Sequence, residues 1–191
     1  KTAYEIYQCD WSSDVCSSDL ELDRLPSEIE AVLKDSAEDA KQLAKKYAHY
    51  EHALFIGRDA LFPTALEGAL KLKEISYIQA EAYAAGELKH GPIALIDDRF
   101  FEMAYVNDDW LYEKSMSNII EINARGGHVI VVTNSEKQID AEEVVRVNTS
   151  LKLLTPLVYN VISQLFAYYV AVERGNDVDQ PRNLAKSVTV E

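Results

Sequence analysis

The chain is expected to fold as α/β: a three-layer αβα sandwich around a mainly parallel sheet of about five strands. Three observations predict this. Short runs rich in β-branched and aromatic residues alternate with longer segments whose apolar residues recur every three or four positions. The run Ala53–Ile56 is apolar throughout, as strands covered on both faces are. The 191 residues, 48% hydrophobic and 27% charged, suffice for one buried core and a tail.

The elements follow in order. Residues 1–20 form a leader, within which Asp10–Leu20, DWSSDVCSSDL, resembles the conceptual translation of a common sequencing adapter and reads as an artefact. Both cysteines, Cys9 and Cys16, lie in this leader. Two thiols at that spacing make neither a C-x-x-C motif nor a disulfide framework. Residues 21–50 read as a connecting helix: Pro26 and Ser27 open a pattern carried by Ile29, Val32, Leu33, Ala37, Ala40, Leu43, Ala44 and Tyr47.

The folded unit spans residues 51–178. Ala53–Ile56, closed by Gly57, is a buried strand, and a helix follows from Ala60 to Ile75 with Pro63 in its first turn. Asp59 is expected to be its N-cap. Ser76–Tyr83 is extended and Phe100–Val106 is a second clear strand. Asp109–Arg125 reads as a helix closed by Gly126 and Gly127. His128–Thr133 and Val144–Val147 complete the strands. Leu153–Glu173 is the last long helix, ended by Gly175, and residues 179–191 form a polar, proline-interrupted tail.

Composition excludes several classes. A net charge of −13 leaves no basic stripe for a nucleic-acid backbone. The most apolar stretch, Leu153–Val172, is interrupted by Thr155, Pro156, Asn160, Ser163 and Gln164, so no membrane span is expected. The first residues lack the basic-then-apolar order of a signal peptide, and the expected compartment is the cytoplasm. No His, Cys, Asp and Glu set has metal-ligand spacing, so neither metal nor cofactor is expected.

The chemistry-bearing residues concentrate between positions 64 and 92. Glu67, Lys71 and Glu74 fall at i, i+4 and i+7, on one stripe of a helix. Such pairs are usually solvated. Ala65, Leu66, Ala69, Leu70, Leu72 and Ile75 leave little of this helix polar, so the stripe should be half-buried. His90 follows in a turn bracketed by Gly86 and Gly91 and stiffened by Pro92. Carboxylates, an amine and an imidazole in one segment suit proton transfer around a sugar carbonyl. His49, His52 and His128 read as structural or surface residues. Gly57-Arg58-Asp59, between strand and helix, is a natural anion position but a weak one without further glycines. Lys186, in the tail DQPRNLAKSVTVE, is solvated or folds over a pocket as a nucleophilic amine. Residue chemistry alone does not choose.

ALEGALKLKEISYIQAEAYAAGELKHGP and DQPRNLAKSVTVE together resemble the isomerase part of the glutamine–fructose-6-phosphate aminotransferases, a family built on sugar-isomerase (SIS) domains. The resemblance covers residues 24–191. It implies an SIS-like fold, with this chain as the second of two tandem SIS domains plus the active-site tail. By that resemblance, Glu74 moves a proton between C2 and C1 of the sugar and His90 opens its ring in the neighbouring subunit. Lys71, beside Glu67, assists proton movement between sugar oxygens, and Lys186 engages the ketose carbonyl as a Schiff base. The implied partners are fructose-6-phosphate, glucosamine-6-phosphate, and a second copy in a homodimer, within hexosamine biosynthesis. The N-terminal glutaminase domain and the first SIS domain, with its S-x-S-x-[ED]-T phosphate loop, are missing from this sequence. The chain alone is therefore expected to be inactive. Gln79 and Asp59 replace the histidine and glycine common in the family. Two other readings stay open: another amino-sugar-phosphate SIS isomerase or deaminase, and a non-catalytic sugar-phosphate-binding SIS module.

Overall fold

The computed structural model describes residues 17–184. Helix α1 spans Ser17–Tyr47, and strand β1 (His52–Gly57) follows it. Next come helix α2 (Leu61–Ser76) and strand β2 (Gln79–Ala84). Two 3₁₀ turns, Ala85–His90 and Pro92–Leu95, lead into strand β3 (Phe100–Val106). Helix α3 (Tyr112–Asn123), strands β4 (His128–Thr133) and β5 (Glu143–Arg146), and helix α4 (Thr155–Glu173) complete the fold.

All four strand pairings are parallel and the order is β2-β1-β3-β4-β5. Successive side chains on a strand point to opposite faces, which divides the core in two. Phe55, Phe101, Met103, Tyr105, Ile130 and Val132 pack under α1, α2 and α4. Leu54, Ile56, Ala104, Val106, Val129 and Val131 pack under α3 and the 3₁₀ turns. The three-layer αβα sandwich with a five-stranded parallel sheet is the architecture expected from the alternation. Among the described residues no helix is long and apolar enough to cross a membrane.

Several boundaries differ from expectation for local reasons. Helix α1 begins well before Pro26 and runs through it, although an internal proline removes a hydrogen bond. Tertiary contacts offset that loss. The Glu21 carboxylate accepts the backbone N–H groups of Lys152, Leu153 and Leu154 at 3.1, 2.9 and 3.0 Å, tying α1 to the segment that leads into α4 and to its cap residue Leu154. Desolvation opposes its ionisation, but these three N–H groups prevail and lower its pKa. Asp109 is not helical: its carboxylate takes the Leu111 N–H at 2.7 Å, and α3 starts at Tyr112. Ser76 stays in α2, which ends where Tyr77 adopts φ +63°.

Asp59 is not the N-cap of α2. That position belongs to Ala60, with no side-chain cap bond, and the Leu61 and Phe62 N–H groups are taken by the carbonyls of Arg58 and Asp59 at 3.0 Å each. Asp59 itself sits at φ +50°, a left-handed conformation that glycine adopts without strain and aspartate tolerates.

The β1–α2 turn also holds the glycine with the closest backbone approach. A Cβ on Gly57 would lie 2.1 Å from the Leu61 carbonyl oxygen and 2.5 Å from its carbon. Because the obstacle is backbone, Gly57→Ala is expected to destabilise the chain by about 1–3 kcal/mol. A denaturant titration against the parent measures it, and an unchanged midpoint would contradict the packing described.

Candidate active site

Helix α2 carries the charged stripe, and its opposite face explains how closely it sits on the sheet. Ala65, Gly68, Ala69 and Leu72 are buried there, and a Cβ on Gly68 would come within 2.5 Å of the Tyr105 hydroxyl. Small residues thus bring the helix onto Phe55 and Tyr105. Tyr105 in turn shares a 2.5 Å hydrogen bond with Ser163 of α4, so sheet, α2 and α4 form one rigid support.

On the outer side of α2 the structure brings Glu67, Lys71 and Glu74 together. Lys71 Nζ donates to Glu74 Oε2 at 2.8 Å and lies 3.5 Å from Glu67 Oε1. The three side chains are 36%, 31% and 27% exposed in sequence order, which is the half-burial expected. The expected cause was only partly right: Leu66 and Leu70 face outward beside the stripe and do not bury it. The hydrogen bond to Glu74 outweighs desolvation and raises the Lys71 pKa, with Glu67 adding to the effect. Lys71 is therefore an ammonium at neutral pH, a donor held between two carboxylates.

His90 is held in a different layer. Its 3₁₀ turn is pinned by buried Ala85 and Leu88, which join the core on the α3 face. Lys89 ties the turn to Glu121 of α3 at 2.6 Å. The imidazole itself is 72% exposed and its Nδ1 pairs with Glu87 at 2.7 Å. His90 thus lies across the sheet from the stripe, and the structure does not bring the two together within one chain. The glycine bracket works in two ways: Gly91 needs its φ of +148°, whereas Gly86 leaves room for Arg58, whose Nη1 would lie 3.3 Å from a Cβ there. Lys186 falls outside the described residues.

The other histidines make ordinary contacts. His128 Nδ1 pairs with Glu142 at 2.6 Å, beside the ion pair that Lys46 of α1 makes with Glu142 at 2.7 Å. His52 stacks on Phe100 and His49 lies against Tyr50. At the switch point between β1 and β3, where open sheets of this order bind ligands, Arg58 is occupied by a 2.8 Å bond to Asn118. Among the described residues no group of three His, Cys, Asp or Glu could hold a metal ion.

Three residues escaped sequence reasoning. Glu102 of β3 is fully buried and neither carboxylate oxygen has a hydrogen-bond partner. Burial pushes its pKa up to about 8, with Asp97 and Glu142 adding to it; the His128 backbone N–H pulls the other way without making a full hydrogen bond. Its one visible signal was a carboxylate inside an otherwise apolar strand. Tyr77 and Arg182 form a contact between the end of α2 and the tail. The Arg182 backbone N–H donates to the Tyr77 hydroxyl at 2.9 Å, and its guanidinium carbon lies 4.1 Å from the ring centre. A separation of 105 positions gives no local signal of that kind.

Comparison with known proteins adds independent information. The SIS domain model matches residues 46–174. The chain is 49% identical over 173 residues to an isomerizing glutamine–fructose-6-phosphate aminotransferase of Idiomarina loihiensis, covering 89% of this chain and 28% of that protein. It is 51% identical over 170 residues to the same enzyme of Haemophilus influenzae, covering 87% and 28%. The chain therefore spans little more than a quarter of the curated relatives it matches. Among solved structures, the C-terminal domain of glucosamine-fructose-6-phosphate aminotransferase from Francisella tularensis superposes with a TM-score of 0.79 at 40% identity, over 84% of this chain and 46% of that one.

Proposed function

The chain belongs to the SIS domain family, and on that premise we propose that it is the C-terminal isomerase portion of an enzyme making glucosamine-6-phosphate from fructose-6-phosphate and glutamine. One observation carries the reading: a half-buried Glu74 held 2.8 Å from an ammonium on a helix fixed rigidly to the sheet. Isomerising a ketose imine requires a base that removes a proton from one carbon and returns it to the next. A carboxylate positioned by a neighbouring cation fits that task.

Glu74 is the base that shuttles a proton between C1 and C2. Lys71, protonated and flanked by Glu67, donates to the sugar oxygens whose charge changes as the enolamine forms and collapses. Lys186 forms the Schiff base with the ketose carbonyl. His90 opens the sugar ring. Its exposure and its place across the sheet from its own stripe support its acting in the site of a neighbouring copy, in a homodimer. Within this reading residues 21–50 connect to a preceding SIS domain, residues 51–178 are the second SIS unit, and residues 179–191 are the tail. The sugar phosphate is held by the preceding domain, and the enzyme works in cytoplasmic hexosamine biosynthesis.

Joining the chain to its natural upstream sequence tests this. The joined protein is expected to form glucosamine-6-phosphate from fructose-6-phosphate and glutamine, measured chromatographically, and the chain alone to form none. Product from the chain alone, or none from the joined protein, would overturn the proposal.

A further inference from the structure

The 3₁₀ turn that carries His90 holds one imidazole in one orientation. Ala85 and Leu88 sink into the core on the α3 face. Lys89 fastens the turn to Glu121 of α3 at 2.6 Å, and Gly91 closes it at φ +148°, a backbone angle that other residues rarely adopt. Within that frame Glu87 stands one 3₁₀ turn before His90, and its Oε2 lies 2.7 Å from Nδ1 of the ring. Both side chains are largely exposed, and so open a pair adds little to stability. Its use lies elsewhere. A carboxylate only accepts, so the contact puts a ring proton on Nδ1. The other nitrogen, Nε2, makes no hydrogen bond among the described residues.

We infer that Glu87 is a positioning residue for sugar-ring opening: it fixes His90 in the tautomer whose Nε2 exchanges protons with the substrate. The inference rests on the isomerase reading above and adds a residue that touches the imidazole and not the sugar. Fructose-6-phosphate is mostly a furanose, closed between C2 and O5. To open it, the imidazolium gives its Nε2 proton to O5 as the electron pair of the C2–O5 bond moves onto O5. A lone pair of the anomeric oxygen then forms the C2=O bond, and the proton on that oxygen passes to Nε2. The imidazole ends as it began, and the sugar has moved one proton from O2 to O5 and broken one bond.

Both transfers run through Nε2, so Nδ1 must keep its proton throughout. Glu87 secures this while the ring is neutral, and its negative charge faces the ring while it is an imidazolium. Inside a site closed by a neighbouring copy that attraction is screened less than at an open surface. An amide at position 87 is a poor substitute. It can turn either its oxygen or its NH2 toward Nδ1, and the second choice selects the tautomer with Nδ1 bare.

The test uses the full-length enzyme with Glu87→Gln, His90→Asn and the two combined. Each is assayed on fructose-6-phosphate and on 5-deoxyfructose-6-phosphate, which lacks O5 and stays open, with product read by mass spectrometry. Glu87→Gln is expected to lower kcat on fructose-6-phosphate by roughly 10–100-fold, within the range that the imidazole itself contributes as a general acid–base group. KM and melting temperature should stay near parental values, and the loss should be absent on the open sugar. A loosened turn would instead slow both sugars alike. The double variant should lose no more than His90→Asn alone, because Glu87 acts only through the imidazole.

A parental rate on fructose-6-phosphate in Glu87→Gln would overturn the inference. So would an equal loss on both sugars, or losses that add in the double variant. Should the parent convert only fructose-6-phosphate, the single and double variants decide alone. Failure of the underlying isomerase reading shows differently, as a parental enzyme that converts neither sugar.

Discussion

Glu74→Gln in the full-length enzyme is expected to slow sugar isomerisation by about 10²–10⁴-fold while leaving glutamine hydrolysis intact. The substitution keeps the size of a half-buried side chain and an oxygen that can still accept from Lys71, so α2 keeps its place. What it removes is basicity. An amide cannot accept the carbon-bound proton, and no other carboxylate on the stripe is placed to replace it, because Glu67 lies about two turns back, at 3.5 Å from the shared ammonium. The same change removes the strongest cause of the raised Lys71 pKa, so the alkaline limb of the pH–rate profile should move downward in whatever activity remains. Glu67→Gln is expected to cost less than about tenfold, since its carboxylate is the more exposed and the more distant partner. Coupled assays of glucosamine-6-phosphate and of glutamate read the two half-reactions separately. Isomerisation at parental rate in Glu74→Gln would remove the residue from the mechanism.

The second large effect concerns stability and comes from Glu102. Its folded-state pKa of about 8 lies above the 4.5 of a free glutamate, so the native chain binds a proton more tightly than the unfolded one. Stability from this group is therefore complete below about pH 4.5, declines as pH rises, and is lost once pH passes 8. The span between those values corresponds to on the order of 5 kcal/mol. Glu102→Leu replaces a carboxyl without a partner by an apolar group of similar volume in a site already walled by Ile96 and Ile122. Its advantage over the parent should be small at pH 5 and reach several kcal/mol at pH 9. Urea titrations of both proteins across that range measure the difference, which cancels every other titrating group. An advantage independent of pH would show that Glu102 does not titrate within the fold.

These two carboxylates also show where sequence reading succeeds and where it stops. Glu74 stood out because a helix fixes which residues share a face: positions 67, 71 and 74 must line up, and the structure places them in one ion-paired stripe. Glu102 did not stand out because strand alternation says which face a residue takes but not what covers it. Strands 100–106 and 128–133 were legible to the residue, since both faces are buried and their apolar runs have sharp ends. The start of α1 was not, because Pro26 reads locally as a helix start and the contacts that carry the helix back through it come from residues about 130 positions away.

The opening expectation of an αβα sandwich, the helical stripe, and the constrained turn at His90 were thus properties of the sequence itself, because each depends on periodicity or on residues a few positions apart. Tertiary structure alone decided that His90 lies across the sheet from that stripe, that Glu102 is sealed without a partner, and that Arg182 returns to Tyr77. Each of these joins segments far apart in the chain. Local propensity is silent on such meetings, which arise only when the sheet order and the packing of its two faces are complete.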